Sequence, residues 1–210
     1  MTAFVFDFGR VLFDWQPERL LQRLLPERAF DAASTAHWTS QVFQSYQGDW
    51  GEFDRGTVSP AEVVQRIAAR TGLLPQEVQR VVDAVPASLQ PIPASVALMD
   101  QLRRPDSPMF FLSNMPVPYA EQLEREHAFV RAFDNGVFSS RVKLIKPDPA
   151  IFALAVQRFG LPPAELVFID DVPANVAAAQ AAGWQALLFT DAAQCARDLK
   201  LAGLWPAENG

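Results

Sequence analysis

Four short apolar runs punctuate the chain: Ala3–Phe8, broken only by Asp7, then Met109–Leu112, Leu166–Ile169 and Ala186–Phe189. None of them alternates cleanly between apolar and polar positions, as a strand with one wet face does. Continuous apolar runs of this length fit strands covered on both faces, as in a parallel sheet. Between and after them, helical patterns start at prolines and stop at breakers. Pro93–Arg104 stops before Pro105, Pro149–Phe159 ends at Gly160, and Pro173–Ala182 ends at Gly183. Proline is pre-set for the first helical turn, and glycine readily adopts the left-handed conformation that closes the last. The alternation of strand and helix predicts an α/β fold: a Rossmann-like, mainly parallel sheet flanked by helices, with right-handed crossovers.

The rhythm changes between about Asp14 and Ser88. Pro17–Leu25 carries Leu20, Leu21, Leu24 and Leu25 at helical spacing. Ser59 and Glu62 form a capping box with Pro60 at the first helical position, Gly72 closes that helix, and Pro75–Val85 reads as another. The pattern predicts a helical cap domain at residues 14–88, inserted in a core made of residues 1–13 and 89–210.

Composition narrows the class. With 210 residues, half of them apolar, the chain suits one core domain carrying a modest insertion. No apolar stretch reaches the ~18 residues of a membrane span, and the first residues lack the basic-then-apolar layout of a signal peptide. A soluble cytoplasmic protein is expected, a monomer or weak homodimer without a membrane partner. The net charge of −6 argues against a nucleic-acid partner, which needs clustered Lys and Arg. Cys195 is the sole cysteine, so no internal disulfide forms, and its Ala-rich helical setting predicts a packed thiol.

The candidate chemistry follows three of the apolar runs. Asp7 follows Phe4-Val5-Phe6, Ser113-Asn114 follows Phe110-Phe111-Leu112, and Asp170-Asp171 follows Val167-Phe168-Ile169. In open parallel sheets the carboxyl ends of the strands line one crevice, where ligands bind. Carboxylates converging on one point repel unless a cation sits among them, and all-oxygen ligands with room for water and phosphate favour Mg²⁺. A serine hydroxyl, an asparagine amide and a lysine ammonium suit phosphoryl oxygens. Lys146, in Lys146-Pro147-Asp148-Pro149, supplies that ammonium just before a helix. Each residue also has a local explanation: Asp7 as a turn residue, Ser113-Asn114 and Asp170-Asp171 as helix caps, Lys146 as a solvated side chain. Their shared position at strand ends makes a single site the economical reading.

On these residues the chain resembles the haloacid dehalogenase-like (HAD) hydrolase superfamily. Asp7-Phe8-Gly9-Arg10-Val11 resembles motif I, Leu112-Ser113-Asn114 motif II, Lys146-Pro147 motif III and Phe168-Ile169-Asp170-Asp171 motif IV. The resemblance implies a phosphatase with Asp7 as nucleophile and Mg²⁺ ligand, forming an aspartyl-phosphate. It implies further metal contacts from the Gly9 carbonyl and from Asp170 and Asp171. Ser113 and Asn114 would hold the phosphoryl group of a small phosphorylated metabolite, and Lys146 would neutralise charge beside Asp7.

Gly9 departs from the common phosphatase pattern, which has a second aspartate there to protonate the leaving group. General acid–base help of that kind is worth about 10²–10⁴-fold in rate. Small-cap members with Asp-x-Gly-x-Val resemble this chain further, and sugar 1-phosphates, whose leaving groups depart easily, are the substrates that likeness implies. Asp14, His37, Asp49, Glu52 and Asp54 are candidates for the missing acid. Arg10 reads as a surface residue, with a substrate contact as the alternative, and His127 reads as surface. His37-Trp38 and the stretch from Tyr46 to Phe53 read as helix packing, with a substrate-facing role as the alternative. Two other functions stay open: 2-haloacid dehalogenation, whose branch usually carries Tyr-Gly-Thr in place of Gly9-Arg10-Val11, and a catalytically silent phosphate-binding regulatory module.

Overall fold

The computed structural model of the protein describes residues 2–105 and 107–206, so residues 1, 106 and 207–210 of the expected core lie outside it. The chain opens with β1 (Ala3–Phe6), makes a tight turn, and forms the short strand β2 (Phe13–Asp14). Five helices follow: α1 (Pro17–Leu24), α2 (Ala32–Phe43), α3 (Gly48–Arg55), α4 (Pro60–Thr71) and α5 (Pro75–Ser88). Strand β3 (Gln90–Pro91) then pairs antiparallel with β2, so the chain leaves for this helical segment and returns from it at one place. Next come α6 (Pro93–Leu102), β4 (Met109–Ser113), α7 (Val117–Glu126), α8 (Ala128–Arg131), β5 (Asn135–Phe138) and α9 (Ser139–Val142). The last elements are α10 (Pro149–Phe159), β6 (Leu166–Asp170), α11 (Pro173–Ala181), β7 (Gln185–Leu188) and α12 (Ala192–Leu201).

The main sheet is parallel throughout, in the order β5-β4-β1-β6-β7. Alternate residues of β1 and β6 reach opposite faces, and both faces are buried. Phe4, Phe6, Val167 and Ile169 join one apolar cluster, while Ala3, Val5, Leu166 and Phe168 join the other. This double burial explains the unbroken apolar runs. The first cluster continues without a break into the helices of residues 17–88, through Phe43, Trp50 and Phe53. Burying each such aromatic ring contributes roughly 1.5–3 kcal/mol.

Several local readings are corrected. Strand β1 stops at Phe6 rather than Phe8, because the carbonyl of Phe8 accepts hydrogen bonds from Leu12 and Phe13 and closes a turn. Strand β5 has no counterpart among the expected strands: it begins with Asn135-Gly136, which masks its apolar end. Gly136 is there for space, since a Cβ would lie 2.0 Å from Cε1 of the Phe111 ring. Helices α2 and α3 also escape periodicity, α2 being rich in Ser and Thr and α3 containing two glycines. Helix α5 runs through Pro86 to Ser88, past the expected end at Val85. His127 is half-buried at the break between α7 and α8, its ring centroid 5.1 Å from that of Phe13, and is not a plain surface residue. Cys195 is buried, and burial pushes its thiol up to about 12, which keeps it protonated.

Candidate active site

Register places the polar clusters at one edge of the sheet. Phe6 of β1 pairs with Phe111 of β4 and Ile169 of β6, so Asp7, Ser113 and Asp170 all emerge at the carboxyl ends of adjacent strands. The Asp7 N–H still donates to the Ile169 carbonyl at 3.0 Å, which fixes its backbone before the chain turns. Lys146 Nζ lies 2.8 Å from Asp7 Oδ1 and 2.6 Å from Asp170 Oδ2 and joins the two carboxylates. All three residues are buried.

Asp170 is fully committed. Besides Lys146, it accepts from the Val172 N–H at 2.8 Å and from Asn175 Nδ2 at 3.0 and 3.1 Å. Asp171 is half-buried and lines the cavity beside Asp7. Ligand oxygens of Asp7, Asp170 and Asp171 lie within 4.8 Å of one another. The Asn114 side chain clamps both backbone groups of Lys146, Nδ2 donating to its carbonyl at 3.0 Å and Oδ1 accepting its N–H at 2.9 Å, which leaves the backbone of Asn114 for the phosphoryl group. Its backbone remains beside Ser113, whose buried side chain also lines the cavity.

The electrostatics follow from burial. Desolvation pushes the Asp7 carboxyl up to about 7; Lys146 opposes the shift, and Asp170 and Asp171 reinforce it. Burial, then Asp170, likewise raises Asp171. For Lys146, burial works against the charge, but Asp170 and Asp7 outweigh it and hold the ammonium above its ordinary range. With every group ionised, three carboxylates face one ammonium, an excess of two negative charges. Oxygen donors with that excess charge fit a divalent cation such as Mg²⁺.

Gly9 borders the cavity, and its glycine is not imposed by space: a Cβ would meet only Trp15 Cβ, at 4.0 Å, with no left-handed φ to forbid it. Gly9→Ala is therefore expected to leave stability within about 0.5 kcal/mol of the wild type in urea denaturation. A loss above about 1 kcal/mol would show that the glycine is structural. Arg10 is exposed at the rim in a left-handed conformation, with Nε donating to the Trp15 carbonyl at 3.2 Å and Nη2 lying 3.8 Å from Glu18.

The cavity above Asp7 encloses about 300 Å³. Trp15, Trp50, Val85, Leu89, Met115 and Tyr119 form much of its wall, so the helices of residues 17–88 contribute directly. Gln44, Ser45 and Tyr46 take consecutive left-handed conformations, with φ of 49°, 51° and 62°, and turn the chain along the cavity. The Tyr46 oxygen accepts from Trp15 Nε1 at 2.7 Å.

Of the five candidates for the missing acid, Asp54 alone lines this cavity. Asp14 pairs with Gln16, Asp49 with Arg70, and Glu52 with Arg55 and Thr57, while His37 is exposed and lies against Trp38. Asp54 is 5% exposed. Asn175 and the wall residues Trp15 and Tyr119 were not singled out by the sequence. Asn175 had a signal, as the lone strongly polar side chain early in an Ala-rich helix, four residues after Asp171.

Residues 1–183 match the haloacid dehalogenase-like hydrolase family. A sesquiterpene phosphatase of Aspergillus oryzae is 27% identical over 199 residues, covering 94% of each chain. In fold, the chain resembles a HAD-family enzyme of Bacteroides thetaiotaomicron solved with magnesium and inorganic phosphate. That likeness has a TM-score of 0.70 at 20% identity, covering 91% of this chain and 95% of the other. It also resembles an L-2-haloacid dehalogenase of Xanthobacter autotrophicus, with a TM-score of 0.66 at 20% identity, covering 99% of this chain and 85% of the other.

Proposed function

The chain belongs to the haloacid dehalogenase-like hydrolase family, and from that premise we propose that it is a Mg²⁺-dependent phosphatase of small phosphorylated metabolites. The observation that carries this reading is the buried Lys146 bridging Asp7 and Asp170, with Asp171 alongside, at the floor of a largely apolar chamber. Asp7 attacks phosphorus to give an aspartyl-phosphate, and Lys146 offsets the repulsion between the two anions. The Ser113 hydroxyl and the Asn114 backbone hold the phosphoryl oxygens. Asp7, the Gly9 carbonyl and Asp171 would hold Mg²⁺, with Asp170 behind Asp171 keeping Lys146 in place, and the metal supplies further charge neutralisation at the phosphate. Residues 14–88 act as the cap over this floor, and residues 1–13 and 89–210 as the core. The magnesium and phosphate bound by the Bacteroides enzyme support this assignment. No helix among the described residues is long and apolar enough to cross a membrane.

The chamber wall favours an apolar alcohol over the sugar of a sugar 1-phosphate. The Tyr119 hydroxyl donates to the Val82 carbonyl at 2.7 Å and the Tyr46 oxygen accepts from Trp15, so beyond Arg10, Ser45, Gln47 and Asp54 the wall offers a polyol little to replace its hydration. The Aspergillus relative, named for a sesquiterpene substrate, points the same way. A panel of linear alkyl phosphates, glucose 1-phosphate, acetyl phosphate and 2-chloropropionate, with Mg²⁺ or EDTA, tests the reading. Phosphate release should require Mg²⁺, and kcat/KM should rise about three- to fourfold per added methylene until the chamber is filled. Activity indifferent to EDTA would refute the metal assignment. Chloride release from 2-chloropropionate would favour dehalogenation, and phosphate binding without turnover would favour a silent module.

A further inference from the structure

An unactivated alcohol is a poor leaving group: when its bond to phosphorus breaks, the oxygen needs a proton, and Gly9 has none to give. Asp54, on α3, lines the same chamber as Asp7, is buried, and has no hydrogen bond or ion pair to its carboxyl among the described residues. Buried polar groups are nearly always partnered, and a native exception calls for a functional explanation. One contact holds its backbone and another the segment just beyond it. The Asp54 carbonyl accepts from Ser139 Oγ at 2.5 Å, while Ser139 Oγ accepts the Met115 N–H at 2.8 Å. Lys143 Nζ donates to the carbonyl of Gly56, two residues beyond Asp54.

We propose that Asp54 is the general acid of this enzyme, protonating the departing alcohol from the helical segment in place of the acid missing at position 9. The proposal rests on the phosphatase reading above. Burial, and next the neighbouring Asp7, hold the Asp54 carboxyl well above the usual carboxylate range, against a smaller opposing pull from Lys146, and this favours the protonated form that an acid needs. An Asp7 oxygen forms a bond to phosphorus as the bond from phosphorus to the alcohol oxygen breaks. That oxygen keeps the electron pair and takes the Asp54 proton. The products are neutral alcohol, aspartyl-phosphate and an Asp54 carboxylate, which recovers its proton from the water that later hydrolyses the phosphoenzyme.

The test is the dependence on leaving group in the first turnover, before phosphoenzyme hydrolysis contributes. Wild type and the Asp54→Asn and Asp54→Ala variants, each with Mg²⁺, are given octyl phosphate or p-nitrophenyl phosphate. Release of octanol, which needs a proton, should slow by about 10²–10⁴-fold in both variants, and release of p-nitrophenolate, which does not, by less than about tenfold. The ratio of the two rates does not depend on the fraction of protein folded. Equal slowing of both releases would overturn the role of Asp54 while leaving the phosphatase reading intact. Failure of the wild type to cleave either ester would remove both.

Discussion

Asp7→Asn is expected to lose phosphoester turnover by about 10⁴–10⁶-fold and yet to melt at a higher temperature than the metal-free wild type at pH 8. The first effect follows from removing the nucleophile. The second follows from burial. The folded-state pKa of Asp7, about 7, lies above the ordinary carboxylate value near 4. Its contribution to stability is therefore fully present below about pH 4 and is lost as pH rises through 7. At pH 8 without metal the folded protein carries a buried anion that Lys146 compensates only in part. Asparagine removes that anion while keeping the shape. Each kcal/mol recovered raises the melting temperature of a chain this long by about 2–4 °C, so a gain of several degrees is expected, shrinking as pH falls toward 4. Thermal denaturation in EDTA at pH 8 and pH 4.5 measures it. A variant less stable than the wild type at pH 8, or one retaining turnover, would contradict the assignment. Mg²⁺ should stabilise the wild type by binding the native state, and the variant much less.

Lys146→Met should have the opposite effect on stability. The ammonium is the partner shared by two buried carboxylates, and methionine has similar volume but no charge. Breaking a buried pair from one side leaves uncompensated charge and costs about 3–5 kcal/mol. Turnover should fall as well, by about 10²–10³-fold, because Asp7 must then approach a phosphate dianion without its cation. Urea denaturation at pH 7.5 reads the stability change. The loss should ease below about pH 7, as Asp7 accepts a proton. A change below about 1 kcal/mol would mean that Asp7 and Asp170 do not depend on Lys146.

The convergence of polar residues at the cavity floor was legible in sequence because parallel topology places strand ends together, and a polar residue ending a buried apolar run stands out. Asp7, Ser113 and Asp170-Asp171 carried that signal. The division of labour between the two adjacent acids did not, since it depends on Asn175 and the Val172 N–H filling the lone pairs of Asp170. Whether the backbone or the side chain of Asn114 faces the phosphoryl group was equally hidden, because the side chain is held by the backbone of Lys146, thirty-two residues away in sequence. Strand β5 was hidden because its small residue makes room for the ring of Phe111, a requirement set by a neighbouring strand rather than by local pattern. Asp54 was one of five candidates because α3 lacks helical periodicity, so nothing local showed which of its faces meets the cavity.

The hydrogen bonds through Ser139 also bear on how the chamber can open. This buried hydroxyl ties the segment after β4 to the backbone of α3, and Tyr119 of α7 ties the same region to α5 through Val82. Separating these surfaces would strand buried polar groups at about 1–3 kcal/mol each. Across the chamber, the turn at Gln44–Tyr46 holds three consecutive residues in left-handed conformations that cost about 1–3 kcal/mol each, so a rearrangement there would recover part of what it loses in contacts. Opening of the chamber is therefore expected beside Tyr46, with the α3 wall that carries Asp54 keeping its place over the floor.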